Sequence, residues 1–140
     1  MATSSLASPP MDAHVMRHLV LVVDDDARSA TLLARLLHAD GYDTEVTHDG
    51  AAALSRLTRN PIPHAVVTDF HMPYADGLAV GRYARSRRPE IPIFVVTGYP
   101  NSLANAVEPL DHPMHVLTKP LDYADLLTRL TAALGVKYPP

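Results

Sequence analysis

Three carboxylates, a hydroxyl and an ammonium follow four apolar runs in this 140-residue chain: Asp24, Asp25, Asp69, Thr97 and Lys119. If these groups meet, the carboxylates raise one another's pKa unless a cation holds them. An all-oxygen set with room for water favours Mg²⁺ over Ca²⁺. A lysine and a hydroxyl beside a lone aspartate can bind a tetrahedral oxyanion, so the set predicts Mg²⁺-dependent phosphoryl transfer to Asp69.

Five apolar runs rich in β-branched residues predict the strands that must position these groups. They span 18–23, 43–47, 64–68, 91–96 and 114–117. Three of them are too uniformly apolar for a sheet with one wet face, which predicts parallel strands covered by helices on both sides. The five candidate site residues then fall at the carboxyl ends of the strands, where ligands bind in such sheets.

Five helices are predicted between and after the strands. Apolar stripes run through 32–37 before Gly41 and through 52–57 before Asn60-Pro61; a third helix follows Asp76-Gly77, a short fourth lies around 101–108, and a fifth uses 126–134 before Gly135. A βα repeat of this kind forms a doubly wound five-stranded parallel α/β sheet, because parallel neighbours need helical crossovers.

Composition and charge narrow the classes of function. A net charge of -3 argues against direct nucleic-acid binding, and the absence of cysteine excludes disulfides and thiolate sites. The eight histidines are scattered, which favours surface histidines over a histidine metal site. Residues 1–16 have neither a secretory pattern nor an apolar span, so we expect a flexible extension, a cytoplasmic location and no membrane contact. Residues 17–137 are expected to form the single domain.

Four motifs in this order resemble the receiver domain of two-component response regulators. They are VLVVDDD, VVTDFHMPYADG, IFVVTGY and VLTKP, and the resemblance covers about residues 17 to 136. It implies the flavodoxin-like strand order 2-1-3-4-5. The chain ends soon after the fifth predicted helix, so we expect no output domain within it.

The resemblance also implies a role for each site residue. Asp69 would be the phospho-acceptor, Asp25 a direct Mg²⁺ ligand, Asp24 a ligand acting largely through water, and the His71 backbone carbonyl the third protein ligand. Thr97 and Lys119 would bind the phosphoryl oxygens. The implied partners are a sensor histidine kinase or a histidine phosphotransfer protein as donor, and a downstream protein that the sequence does not identify. Such a domain is not an enzyme toward other substrates, since it catalyses only its own phosphorylation and dephosphorylation.

Other classes of protein share parts of this pattern. A haloacid-dehalogenase-like phosphatase also uses an aspartate and Mg²⁺, but it needs a second aspartate where this chain has His71. A phosphorylation-independent pseudo-receiver would be an interaction module on the same fold, although its acidic set is usually damaged. The chain could act alone, through protein contact or a phosphorelay, or be part of a longer regulator or hybrid kinase.

Further expectations concern the first predicted helix and the loop at residues 97–108. Asp26 is expected to lie in the first turn of helix 1, where the helix dipole favours negative charge. By resemblance, Arg28, Ala30, Leu33 and Ala34 would contact the kinase. The usual switch aromatic of the family, three residues before the lysine, is Val116 here, so the 97–108 loop with Tyr99 is expected to change on phosphorylation.

Overall fold

Five parallel strands form one sheet in the order β2-β1-β3-β4-β5. The computed structural model describes residues 17–103 and 114–136; the predicted extension at 1–16 and residue 137 lie outside these ranges. The strands are β1 (Leu19–Val23), β2 (Asp43–Thr47), β3 (Ala65–Asp69), β4 (Ile93–Thr97) and β5 (His115–Thr118). The predicted strand order is confirmed.

Four of the five strands differ from the predicted runs by one or two residues, and β2 has the predicted bounds. β4 begins at Ile93 and not at residue 91, because Pro92 has no N–H to donate and only its carbonyl joins the sheet, accepting from Val66 N–H at 3.0 Å. β3 and β4 each extend one residue further than expected, to Asp69 and Thr97. Both site residues therefore belong to rigid strand ends and not to the loops that follow.

Four helices pack against the sheet in the described ranges: α1 (Ala27–Ala39), α2 (Gly50–Leu57), α3 (Gly77–Arg87) and α4 (Tyr123–Ala133). Each begins after an aspartate whose side chain accepts a hydrogen bond from a backbone amide of the first turn; the caps are Asp26, Asp49, Asp76 and Asp122. Asp26 is thus the N-cap of α1, one residue before the expected first turn. No helix within the described ranges is long and apolar enough to cross a bilayer.

The predicted short helix at 101–108 lies largely outside the described residues. Pro100–Ser102 form a single 3₁₀ turn, and residues 104–113 are not described, which includes Pro109 and Pro113. The helix predicted as the fifth is therefore α4.

Two apolar clusters bury the faces of the sheet. Leu21 and Val66 point toward α2 and α3, whereas Val20, Val22 and Val67 point toward α1 and α4, as alternation along a strand requires. Every residue of β3 and β4 is buried. This packing holds the carboxyl ends of the central strands in fixed relative positions, which is what a site on that edge needs.

Candidate functional site

The carboxyl ends of four strands bring the predicted site residues to one edge of the sheet. Asp24 and Asp25 follow β1, Asp69 ends β3, Thr97 ends β4 and Lys119 follows β5. Adjacent strands are in register here: the Lys119 amide donates to the Thr97 carbonyl at 2.9 Å. Residues far apart in the sequence therefore meet because parallel strands end at the same edge.

The three carboxylates form a compact cluster in which Asp24, Asp25 and Asp69 each offer one oxygen, all within 4.8 Å of one another. The Asp69 side chain is only 8% exposed, Asp24 is partly buried and Asp25 is exposed. Burial raises the pKa of Asp24 from 3.8 to about 6; the hydrogen bond and negative charge of Asp69 add to this rise, and Lys119 opposes it. The cluster holds more negative charge than it can neutralise by itself.

This donor set fits a small hard cation. All the candidate ligand atoms are oxygens, no histidine or cysteine ligand joins the cluster within the described residues, and Asp25 faces solvent, which leaves room for water. A bound cation would also favour the ionised form of Asp24. The predicted assignment of Mg²⁺ to these residues agrees with that chemistry.

Lys119 supplies the positive charge of the site. Its Nζ lies 3.0 Å from Asp69 Oδ1, and its side chain is 47% exposed. The ion pair therefore joins a nearly buried carboxylate to a half-exposed ammonium. Because Lys119 has a flexible stem and solvent access, it can shift from the carboxylate to a group attached to it.

Thr97 is buried at the end of β4, and its hydroxyl is bonded to its own loop. Thr97 Oγ1 accepts a hydrogen bond from the Tyr99 amide at 3.0 Å. The hydroxyl proton is not used in that bond, so it is available as a donor. The predicted role of Thr97 toward phosphoryl oxygens stays a prediction.

Two aromatic residues follow β3 and β4, the strands that end in Asp69 and Thr97. His71 follows β3, and its ring lies edge-on to that of Tyr99, with 6.2 Å between the centroids and 83° between the planes. Both side chains are exposed. The expected role of the His71 backbone carbonyl as a metal ligand also stays a prediction.

An apolar groove leads away from the carboxylates and was not predicted. A cavity of about 590 Å³ runs along α1 toward the segment after Lys119, and it is lined by the acidic cluster, Leu32, Leu33, Leu36, Leu121 and Tyr123. Leu32 is 59% exposed and Leu36 is 36% exposed. The sequence carried the signal, since four leucines make the stripe of α1 wider than one sheet face can cover.

One predicted docking residue is misplaced. Ala30 is fully buried between α1 and the sheet, so its prediction as a surface contact is wrong. Helical geometry explains this, because Ala30 lies seven residues before buried Leu37 and therefore shares its face. Arg28 is exposed, and Leu33 and Ala34 are partly exposed.

Comparison with known proteins identifies the family. The model of the response regulator receiver domain matches residues 20–131. Response regulator MprA of Mycobacterium avium (strain 104) is 40% identical over 116 residues, which are 82% of this chain and 50% of that protein. This chain thus spans about half the length of that relative.

Solved structures agree in fold. A response regulator receiver protein from Sinorhizobium medicae WSM419 is 26% identical with a TM-score of 0.77, and the match covers 85% of this chain and 95% of that one. The receiver domain of the hybrid histidine kinase CckA is 27% identical with a TM-score of 0.68, over 83% and 98% of the two chains. With the strand order and the acidic cluster, these matches lead to one conclusion: the chain belongs to the response regulator receiver domain family.

Proposed function

We propose that this domain accepts a phosphoryl group on Asp69 and signals through the change that follows. The observation that carries the proposal is the environment of that carboxylate. Asp69 is nearly buried, it lies within 4.8 Å of two other carboxylates, and Lys119 is 3.0 Å from one of its oxygens. A carboxylate in this setting is poised as a nucleophile whose product, an acyl phosphate, meets a positive charge at once.

The residues of the chain have distinct tasks in this reaction. An Asp69 oxygen attacks the phosphorus of a phosphohistidine in line; a P–O bond forms, the P–N bond breaks, and the imidazole leaves. Lys119 moves from the carboxylate to the phosphoryl oxygens, and the Thr97 hydroxyl donates to one of them. Asp24, Asp25, Asp69 and the His71 carbonyl would hold Mg²⁺. Bound Mg²⁺ supplies neutralisation of charge on the transferring oxygens.

The donor would be a sensor histidine kinase or a histidine phosphotransfer protein. The groove supports this partner, because Leu32 and Leu36 present apolar surface beside the acidic cluster, where a docked helix would bring its histidine to Asp69. The downstream partner would be a protein and not nucleic acid or membrane, and the reaction would take place in the cytoplasm. The domain would turn over only its own acyl phosphate and no other substrate.

Incubation with Mg²⁺ and acetyl phosphate, followed by intact-mass measurement, tests the proposal. We expect the wild-type chain to gain one phosphoryl group, Asp69→Asn to gain none, and EDTA to abolish the gain. A wild-type chain that accepts no phosphoryl group from a small donor or from any histidine kinase would instead support a pseudo-receiver. The intact acidic set favours phospho-acceptance over that alternative.

A further inference from the structure

The loop between β3 and α3, residues 70–76, carries the His71 carbonyl and is folded back on itself. Within it, the Ala75 amide donates to the Pro73 carbonyl at 2.9 Å, and the amide of Gly77 donates to the Phe70 carbonyl at 2.9 Å. A Cβ at Gly77 would overlap with the Asp69 carbonyl oxygen and would lie 3.0 Å from Phe70 Cα. The end of the loop is therefore held tightly against β3.

The tip of the loop adopts a backbone conformation that it does not favour by itself. Tyr74 has φ of 75°, in the left-handed region where side chains other than glycine are strained. Its side chain is exposed, so packing of the ring gives little to offset the strain. A strained residue of this kind persists only where neighbouring structure fixes the backbone around it.

Gly50, the first residue of α2, supplies such a contact from a separate element. Its amide donates to the Pro73 carbonyl at 3.4 Å. A Cβ at this position would overlap with the Ala75 carbonyl oxygen and would lie 2.6 Å from Ala75 Cβ. Asp49 caps α2 through the Ala52 amide at 2.7 Å, which keeps the first turn, and Gly50 with it, in helical conformation. The N-terminus of α2 thus sits directly on the turn at residues 73–75.

We propose that Gly50 is a positioning residue for the metal-binding loop. It lets α2 approach close enough to fix the turn at 73–75, and this contact keeps the His71 carbonyl in place relative to Asp69. A side chain at position 50 would displace the loop while leaving the three carboxylates on their strand ends. This inference rests on the proposed function, in which the His71 carbonyl and the carboxylates bind Mg²⁺.

The test compares Gly50→Ala with Gly41→Ala. Gly41 has φ of 101° and lies after α1, with no atom within 4 Å of a built Cβ, so alanine there strains the fold without touching the loop. The dissociation constant for Mg²⁺ is measured by amide NMR titration with MgCl₂ alone, and stability by urea unfolding in EDTA. Loss of a group that supports a metal ligand typically weakens binding about 10- to 100-fold, and we expect about tenfold or more for Gly50→Ala. Gly41→Ala should lose stability and keep wild-type affinity.

A measurement on the wild-type chain covers the case in which Gly50→Ala does not fold. Coupling between two sites is reciprocal, so Mg²⁺ should slow hydrogen exchange of the Gly50 amide severalfold and leave the Gly41 amide unchanged. Wild-type affinity for Mg²⁺ in Gly50→Ala, or a hydrogen exchange rate of the Gly50 amide that Mg²⁺ does not change, would overturn this inference and leave the proposed function standing. A wild-type chain that binds no Mg²⁺ would overturn the proposed metal dependence, and the inference with it.

Discussion

Replacing Asp24 with asparagine should stabilise the metal-free protein at neutral pH. The pKa of Asp24 is raised from 3.8 to about 6, first by burial and then by Asp69, so the folded state holds its ionised form at a cost. A rise of this size corresponds to a destabilisation of the folded state by about 3 kcal/mol when Asp24 is ionised. Screening by solvent at this partly exposed carboxyl reduces that destabilisation to about 1 kcal/mol. Asparagine keeps a side-chain oxygen that can accept the hydrogen bond that the Asp26 amide donates to Asp24 Oδ1 at 2.9 Å.

The sign of this effect depends on pH. Between about pH 4 and 6 the folded protein keeps a proton on Asp24 that the unfolded chain has lost, so wild-type stability falls as pH rises through that window. The advantage of Asp24→Asn should therefore be absent below pH 3.8, grow through the window and stay constant above it.

Urea unfolding in EDTA, followed by far-UV circular dichroism, measures the difference. Glu90→Gln is a matched control, since it removes one exposed negative charge far from the sheet edge that carries the site. Adding Mg²⁺ should stabilise the wild type and Glu90→Gln, but Asp24→Asn much less, because a ligand stabilises only the state that binds it. An Asp24→Asn variant that is no more stable than the wild type at pH 7.5 in EDTA would show that the ionised Asp24 carboxylate does not destabilise the folded state.

Two other predictions concern His64, which precedes β3, and His71, which follows it. His64 Nδ1 accepts the Leu19 amide at 2.9 Å, and burial, then His18 and Arg88, lower the pKa of His64 below 6.5. The stabilising contribution of His64 should therefore be complete above pH 6.5 and be lost as pH falls. In His64→Asn the free energy of unfolding should depend less on pH between 7.5 and 5.5 than in the wild type. An equal pH dependence in the two proteins would contradict this. His71→Ala and Tyr99→Ala should each change the rate of acyl phosphate loss about 2- to 10-fold, because the two rings contact each other and lie two residues after Asp69 and Thr97, respectively. The double variant should show coupling between the two changes. Intact-mass measurement of the phosphorylated protein over time checks this, and unchanged rates in all three variants would show that the rings do not flank the path of water.

The position of the acidic cluster could be predicted because it depends only on strand order and strand ends. Uniformly apolar runs require burial on both faces, burial on both faces requires parallel strands with helical crossovers, and parallel strands end at one edge. Asp24, Asp69 and Lys119 each come at or after the end of a predicted strand, so the runs predicted a shared edge, whereas the strand order that makes these strands neighbours came from the resemblance. Their ligand and catalytic roles still rest on resemblance.

Helix orientation and loop shape could not be predicted in the same way. The stripe of α1 contains four leucines, and the sequence does not say which sector faces the sheet; the structure buries Leu37 with Ala30 and leaves Leu32 exposed. The support of the β3–α3 loop depends on a contact between α2 and the turn at 73–75, which brings together segments with no local signal for one another. Tertiary packing decides both features.

The connection between the site and the rest of the domain follows from the hydrogen bond that the Thr97 hydroxyl accepts from the Tyr99 amide. The Tyr99 amide donates to Thr97 Oγ1, and the Tyr99 ring lies edge-on to the His71 ring. Tyr99 therefore contacts Thr97 through its backbone and His71 through its side chain. Rotation of the hydroxyl toward a phosphoryl oxygen would change the bond to the Tyr99 amide. On β5, Val116 is half-buried against the core and has a short branched side chain with restricted χ1, so it offers no ring to swing between two states. We therefore expect movement at Thr97 to displace the loop that begins at Gly98 and to leave β5 in place. For this reason the 97–108 loop is expected to change on phosphorylation; its residues 104–108 lie outside the described ranges.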